Sequence, residues 1–189
     1  MHSRSTLTVA LPDDEYPPSD DGAAMNRDVS IFVLIALLSI LFGTIASNFL
    51  AIGGITPDLL LIVVVAYGLQ KGQLHGVLFG FASGLVFDVV STDVLGSNAL
   101  VKLLAGYCAG LFHRDDGSVQ TTIGSPRFIG VMLGCALIHN AVYSFLYTRP
   151  ADIPFVAFYL KNGIAAALYT TALALIPFFY ASRQREEMY

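Results

Sequence analysis

Apolar residues occur in six stretches along this chain, and short polar segments separate them. The stretches cover about residues 29–52, 57–70, 73–90, 97–113, 127–147 and 153–181. A bilayer core takes about 20 helical residues, and a helix in lipid satisfies its own backbone hydrogen bonds. The pattern therefore predicts an all-α, polytopic membrane protein with a six-helix transmembrane bundle. The first stretch is longer than the apolar region of a signal peptide and follows acidic residues, so we interpret it as a retained transmembrane helix.

The second stretch, residues 57–70, is short for a membrane span. About 14 residues at ~1.5 Å each reach only ~21 Å, and a re-entrant segment is the alternative. The Lys and Arg residues favour a full span, because cytoplasmic loops are enriched in them. With six spans and a cytoplasmic N-terminus, the outer side holds only Arg149, whereas the cytoplasmic side holds Arg4, Arg27, Lys71, Arg114, Arg127, Arg183 and Arg185. The sequence thus predicts a transmembrane domain over residues 29–182 and a cytoplasmic C-terminal tail at 183–189.

The composition supports a membrane protein and changes how the net charge is interpreted. Of the residues, 55% are apolar and 13% are charged, against roughly 25% charged in soluble domains. This excludes a soluble enzyme and a nucleic-acid-binding protein. Residues 1–28 hold six of the 14 acidic residues and two of the ten basic ones, which accounts for the net charge of −4. We expect these residues to form a disordered, acidic, cytoplasmic tail.

Glycines recur at four-residue spacing in three of the predicted spans. Small residues let helix backbones approach closely in lipid, where little hydrophobic drive exists between helices. We interpret the glycines as helix-packing positions, and the alternative is that part of a ladder faces a partner's transmembrane helix. The residues are Gly72, Gly76, Gly80 and Gly84 in the third span, Gly106 and Gly110 in the fourth, and Gly130 and Gly134 in the fifth.

Four ionisable residues lie toward the outer ends of the predicted spans: Asp58, Asp88, Lys102 and Lys161. A charge inside a membrane costs several kcal/mol unless it is paired, so two acids and two bases at one depth suggest mutual neutralisation. Asp88 and Lys102 continue the glycine ladders of adjacent helices, and we hypothesise that they form an ion pair. A ligand site or a partner contact is the alternative.

The remaining polar candidates are His139 and Asn140, midway along the fifth span. Neither lies at metal-ligand spacing from another candidate, so we expect them to make interhelical hydrogen bonds. The sequence has no HExxH, GxSxG or phosphate-loop motif, and it predicts neither an enzyme nor a metal or cofactor site.

The chain resembles the rod shape-determining MreD family. The resemblance rests on residues 57–110: the Pro57 opening, Gly80-Phe81 with Gly84, Asp88, the Leu95-Gly96 turn and Tyr107. Residues 127–147 and an Asn162-Gly163 pair before a basic end are similar in placement. Lys102 departs from the apolar or small polar residue that we expect there.

The resemblance implies a non-enzymatic component of the cell-elongation machinery in the bacterial inner membrane. It implies as partners the bitopic MreC protein, the MreB cytoskeleton and the glycosyltransferase–transpeptidase pair that extends side-wall peptidoglycan. It also implies a fold like that of the substrate-binding subunits of energy-coupling-factor transporters. The competing function is therefore a transporter subunit that binds a vitamin-like solute in an outward cavity. Two features count against this function. Such subunits dock to their partner through small residues on the first helix, whereas residues 29–52 are mostly bulky, and the predicted outer loops are too short to form a lid over a solute.

Overall fold

The computed structural model describes residues 21–91, 95–114 and 119–186, and all of its regular structure is helical. The described residues contain no strand, only an isolated bridge between Ile52 and Ile55. A π-helical turn at Tyr159–Gly163 joins the last two α-helices of the chain into one continuous helical segment. The helices are α1 (Asp21–Leu50), α2 (Leu59–Lys71), α3 (Gln73–Val90), α4 (Ser97–Gly110), α5 (Val119–Ile123), α6 (Pro126–Ala151), α7 (Phe155–Phe158) and α8 (Ile164–Glu186).

Each of the six predicted apolar stretches overlaps a helix, and the largest difference is at the first. Helix α1 begins at Asp21, so residues 21–28 are helical although the sequence predicted a disordered tail there. Ala23, Ala24 and Met25 have high helix propensity, and a helix extends readily from an existing one. The rest of that tail, residues 1–20, lies outside the described residues. At the other end, α8 continues to Glu186.

Local sequence explains where the central helices begin and end. The Asp58 side chain accepts a hydrogen bond from the Leu61 N–H and so caps the start of α2. Helix α2 ends at Gly72, whose φ of 86° is readily available only to glycine, and α3 begins at the next residue. The α2–α3 connection is therefore a single residue, which holds these two helices side by side.

Helix α2 lies at the centre of the bundle. It contacts α1, α3, α4, α6 and α8, and nine of its 13 residues are buried. This explains its almost continuous run of apolar residues, because a helix that is covered on all sides needs no polar face. The shortest predicted span is therefore the core of the structure.

The α3–α4 contact is the most extensive in the bundle, and glycines make it close. A Cβ added to Gly76 would lie 2.5 Å from the Gly106 carbonyl oxygen, and one added to Gly84 would lie 2.6 Å from that of Asn98. Gly80 meets the Lys102 backbone, and Gly110 meets the Gln73 backbone. Backbone therefore packs directly on backbone along this interface.

Three helical segments of the described residues are long and apolar enough to cross a membrane: Gln73–Val90, Pro126–Arg149 and Phe155–Gln184. Val29–Ile45 and Leu59–Lys71 are shorter apolar helices. Large apolar side chains are exposed on the outside of the bundle, for example Leu38, Leu78 and Ile176. Such a continuous apolar surface is typical of a protein embedded in lipid.

Candidate functional site

A buried ion pair joins α2 to α4. The Lys102 side chain is 0% exposed, and its Nζ donates to Asp58 Oδ2 at 2.7 Å. The same ammonium donates to Asn98 Oδ1 at 3.2 Å and lies 5.0 Å from the centre of the Phe87 ring. We call Asp58, Asn98 and Lys102 the ion-pair cluster. The lysine charge is paired with the Asp58 carboxylate and hydrogen-bonded, as a buried charge requires.

Asp58 is held in place from two sides. Its Oδ1 accepts from the Leu61 N–H at 2.9 Å, which fixes the carboxylate at the start of α2. Its own backbone N–H donates to Thr170 Oγ1 on α8 at 3.0 Å. One residue therefore connects α2, α4 and α8, and 25% of its side chain stays exposed.

The predicted ion pair between Asp88 and Lys102 is wrong, because Lys102 pairs with Asp58 instead. The Asp88 carboxylate accepts from the backbone N–H groups of Gly96, Asn98 and Ala99 at 2.9, 3.1 and 3.0 Å. These N–H groups belong to the start of α4, where a helix leaves donors without partners and favours negative charge. Asp88 thus caps α4 across the short loop.

Lys161 does not join the ion-pair cluster. It lies on the π-helical turn Tyr159–Gly163, and its side chain is exposed. A long lysine chain there can extend toward the membrane surface, so this residue does not need the partner that we expected inside the bundle. Of the four predicted ionisable residues, the structure therefore pairs two, uses Asp88 as a helix cap and leaves Lys161 at the surface.

A cavity of about 440 Å³ lies beside the ion-pair cluster. We call it the α6 cavity, because five α6 residues contribute to its wall. Its polar lining side chains are Ser39, Thr56, Asp58, Asn98, His139, Asn140, Tyr143, Ser144, Tyr147 and Asn162. Among the predicted site residues, Asp58, His139 and Asn140 thus share this cavity.

The interhelical hydrogen bonds expected of His139 and Asn140 do not form as predicted. Asn140 Nδ2 donates to the Ala136 carbonyl of its own helix at 2.8 Å. His139 is 4% exposed, and neither ring nitrogen has a hydrogen-bond partner among the described residues. Its Nε2 lies 3.6 Å from Asp58 Oδ2, beyond hydrogen-bond distance. Among the same residues no group of three or more His, Cys, Asp or Glu could hold a metal ion.

The α6 glycines pack against no other described part of the chain, which corrects the helix-packing prediction for Gly130 and Gly134. Among the described residues, a Cβ added to either would meet nothing within 4 Å, and both glycines are exposed. Four-residue spacing creates a small face on a helix but does not say which way that face points. The α3 and α4 glycines each face the backbone of the opposite helix or its end, and Gly76 and Gly106 face each other, whereas the α6 pair faces outward.

The sequence-based predictions did not include the tyrosines that line the α6 cavity, or Asn98 and Thr170, which contact the ion pair. Tyr143 and Tyr147 follow His139 at four-residue intervals, a spacing visible in the sequence that places all three on one helix face. Asn98 lies four residues before Lys102, which is a similar local signal. Thr170 is 112 residues from Asp58, and no sequence pattern connects the two.

Comparison with known proteins identifies the family. No curated protein matches the chain, and no solved structure matches it. The family described as rod shape-determining protein MreD matches residues 25–181, which is most of the chain and includes both the ion-pair cluster and the α6 cavity. The chain therefore belongs to the MreD family of rod shape-determining membrane proteins.

Proposed function

We propose that this protein is a non-enzymatic component of the bacterial cell-elongation machinery in the inner membrane. The observation that carries the proposal is the family match over residues 25–181, which covers nearly all described helices. The match extends over the helical domain, and we therefore assign the proposed role to that domain. The proposed role is to hold partners together in the membrane while side-wall peptidoglycan is made.

The proposed arrangement has six spans with both termini in the cytoplasm. The distribution of Lys and Arg supports it, since only Arg149 falls on the outer side of such a topology. The exposed apolar side chains around the bundle also support it, because lipid can cover them. Helix α2 has 13 residues and spans ~20 Å. Its central position gives it protein neighbours, so it does not need to match the lipid thickness by itself.

We further propose that a bitopic MreC-type protein docks through its transmembrane helix, and that α6 takes part. Gly130 and Gly134 lie outward with open space above them, and Ile138 extends the same exposed face by one more turn. A small-residue face permits close approach by another helix. The α3–α4 glycines are already occupied within the chain, so the α6 glycines suit this second role. The MreB cytoskeleton and the glycosyltransferase–transpeptidase pair would join through the same assembly.

Co-purification tests this proposal. The tagged chain, extracted in mild detergent, should retain the bitopic partner at near-equal amount. Gly134→Leu should lower the retained partner several-fold without changing the folded yield, because a Cβ there meets nothing within 4 Å among the described residues and the position is exposed. Ala82→Leu adds similar bulk at an exposed position on α3 and serves as the matched control. Absence of the partner from the wild-type preparation would contradict the proposal, and equal retention by both variants would contradict the role of α6.

The α6 cavity favours a second candidate, a solute-binding subunit of a vitamin-type transporter with the fold of energy-coupling-factor substrate-binding subunits. Its volume of about 440 Å³ is within the range of small-molecule pockets. Such a subunit would co-purify with an ATPase module rather than with a bitopic protein. The same purification therefore separates the two candidates.

A further inference from the structure

The α6 cavity has a polar wall with no net charge. Asp58 is the one acidic residue among the described lining residues, and Lys102 behind it carries the compensating charge at 2.7 Å. No Lys or Arg is among the lining residues of the described chain. The other polar lining groups are hydroxyls, amides and one imidazole. The wall therefore offers hydrogen bonds but no uncompensated charge for an ionic ligand.

His139 supplies a second and independent observation. Buried polar atoms in proteins almost always have hydrogen-bond partners, and leaving one without a partner costs about 1–3 kcal/mol. Both ring nitrogens of His139 are buried without a partner among the described residues, although the side chain lines a cavity. A neutral imidazole has one donor and one acceptor. A molecule in the cavity that carries both functions would satisfy both nitrogens.

One side of the cavity is built from aromatic rings. The His139 and Tyr143 rings are nearly parallel at 4°, and the Tyr143 and Tyr147 rings are nearly parallel at 13°. Phe158 packs against Tyr147 with ring centres 5.2 Å apart. Aromatic rings beside hydrogen-bonding groups favour a ligand that has both apolar carbon surface and polar groups.

We propose that the α6 cavity is a binding site for a neutral, hydroxyl-bearing ligand of the saccharide class. A pyranose offers C–H groups to the tyrosine rings, and its hydroxyls can both donate to and accept from His139. A cation is disfavoured because Lys102 already neutralises Asp58. An anion is disfavoured because the Asp58 carboxylate is in the wall. This inference does not depend on the proposed function, since it rests on the cavity alone.

The test monitors the His139 ring directly. The full chain, with ¹⁵N-labelled histidine rings, is placed in phospholipid nanodiscs, which avoids sugar-based detergents, and is titrated with N-acetylglucosamine. We expect the ¹⁵N signals of His139 to shift and to saturate, while those of the exposed His75 stay constant. His139→Gln assigns the signals, or removal of the other histidines one at a time assigns them by elimination.

One variant of the cavity wall and one control variant on the same helix give a matched comparison. Tyr147 lines the cavity and is 50% exposed, so Tyr147→Leu removes a stacking surface at little cost to folding. Phe145 is 43% exposed on the same helix but does not line the cavity, so Phe145→Leu is the control. We expect Tyr147→Leu to raise the half-saturation concentration about two- to tenfold and Phe145→Leu to leave it unchanged.

Three results would overturn the proposal. The first is the absence of a saturable His139 shift with N-acetylglucosamine and with maltose, which would mean that the cavity holds only water. The second is a saturable shift with tetramethylammonium and none with the sugars, which would identify a cation site. The third is an equal loss of affinity in Tyr147→Leu and Phe145→Leu. The wild-type titration decides the question even if a variant fails to fold.

Discussion

The ion pair between Asp58 and Lys102 makes a quantitative prediction about stability. Asp58→Asn leaves the fully buried Lys102 ammonium without its carboxylate. Removing one partner of a buried pair costs about 3–5 kcal/mol, and we expect a value at the lower end of that range because a quarter of the Asp58 side chain is exposed. Lys102→Met leaves a partly exposed carboxylate that keeps its hydrogen bond from Leu61, so its expected cost is about 1–3 kcal/mol.

The double variant isolates the interaction itself. With both charges removed, no unpaired ion remains, and the loss should be smaller than the sum of the two single losses by about 1–3 kcal/mol. Each free energy of unfolding is measured by titrating the detergent-solubilised protein with sodium dodecyl sulfate and following helical circular dichroism. Size-exclusion profiles before titration check that each variant begins folded.

A second cycle with Asp88 serves as the control. Asp88→Asn and Lys102→Met should add to within about 0.5 kcal/mol, because the Asp88 carboxylate accepts from backbone N–H groups and not from Lys102. The reasoning would be refuted if the Asp58–Lys102 cycle were additive, or if Asp88 showed the larger coupling with Lys102.

Three further predictions concern packing, capping and topology. Gly84→Ala should destabilise the protein by about 1–3 kcal/mol, because the new Cβ would meet backbone atoms of α4. Gly134→Ala, where the Cβ meets no described atom within 4 Å, should be neutral or stabilising by up to about 1 kcal/mol. Thermal unfolding followed by circular dichroism compares the two variants, and equal effects would contradict the packing. Asp88→Ala should lower the free energy of unfolding by about 1–2 kcal/mol through loss of the α4 cap, and unchanged stability in the same titration would argue against capping. A reporter fused after Tyr189 should indicate a cytoplasmic C-terminus. Activity of an alkaline phosphatase fused at that position would contradict six spans.

The helices were predictable from the sequence because their boundaries follow local chemistry. The third stretch was predicted at residues 73–90, and the helix is Gln73–Val90, bounded by Gly72 and Ser91. The central position of α2 was not predictable, although its almost continuous run of apolar residues was a signal. The short length of residues 57–70 made them the most doubtful of the predicted spans, but length and burial are different properties.

The arrangement of the site was predictable only in part. Depth along the spans correctly brought Asp58 and Lys102 to one level, but depth does not determine which helix faces point at each other. Asp88 seemed the better partner because its loop connects directly to the helix of Lys102. That same short loop instead places its carboxylate at the first N–H groups of α4, and Asp58 reaches Lys102 from a helix about 40 residues earlier in the chain.

The glycines show the same limit. The spacing in α3, α4 and α6 is alike, yet Gly80 is covered by the Lys102 backbone whereas Gly130 has open space above it. Rotation of a helix about its axis decides between these outcomes, and that rotation depends on contacts with all neighbours at once. A sequence pattern identifies a small face but not its partner.

Depletion of the protein in a rod-shaped bacterium that encodes it tests the central claim most directly. If the chain acts as a membrane component of the shape-determining machinery, depleted cells should widen and become round within a few generations, and expression of the wild-type chain should restore rods. Cells that keep their rod shape and width after the protein is lost would contradict the account.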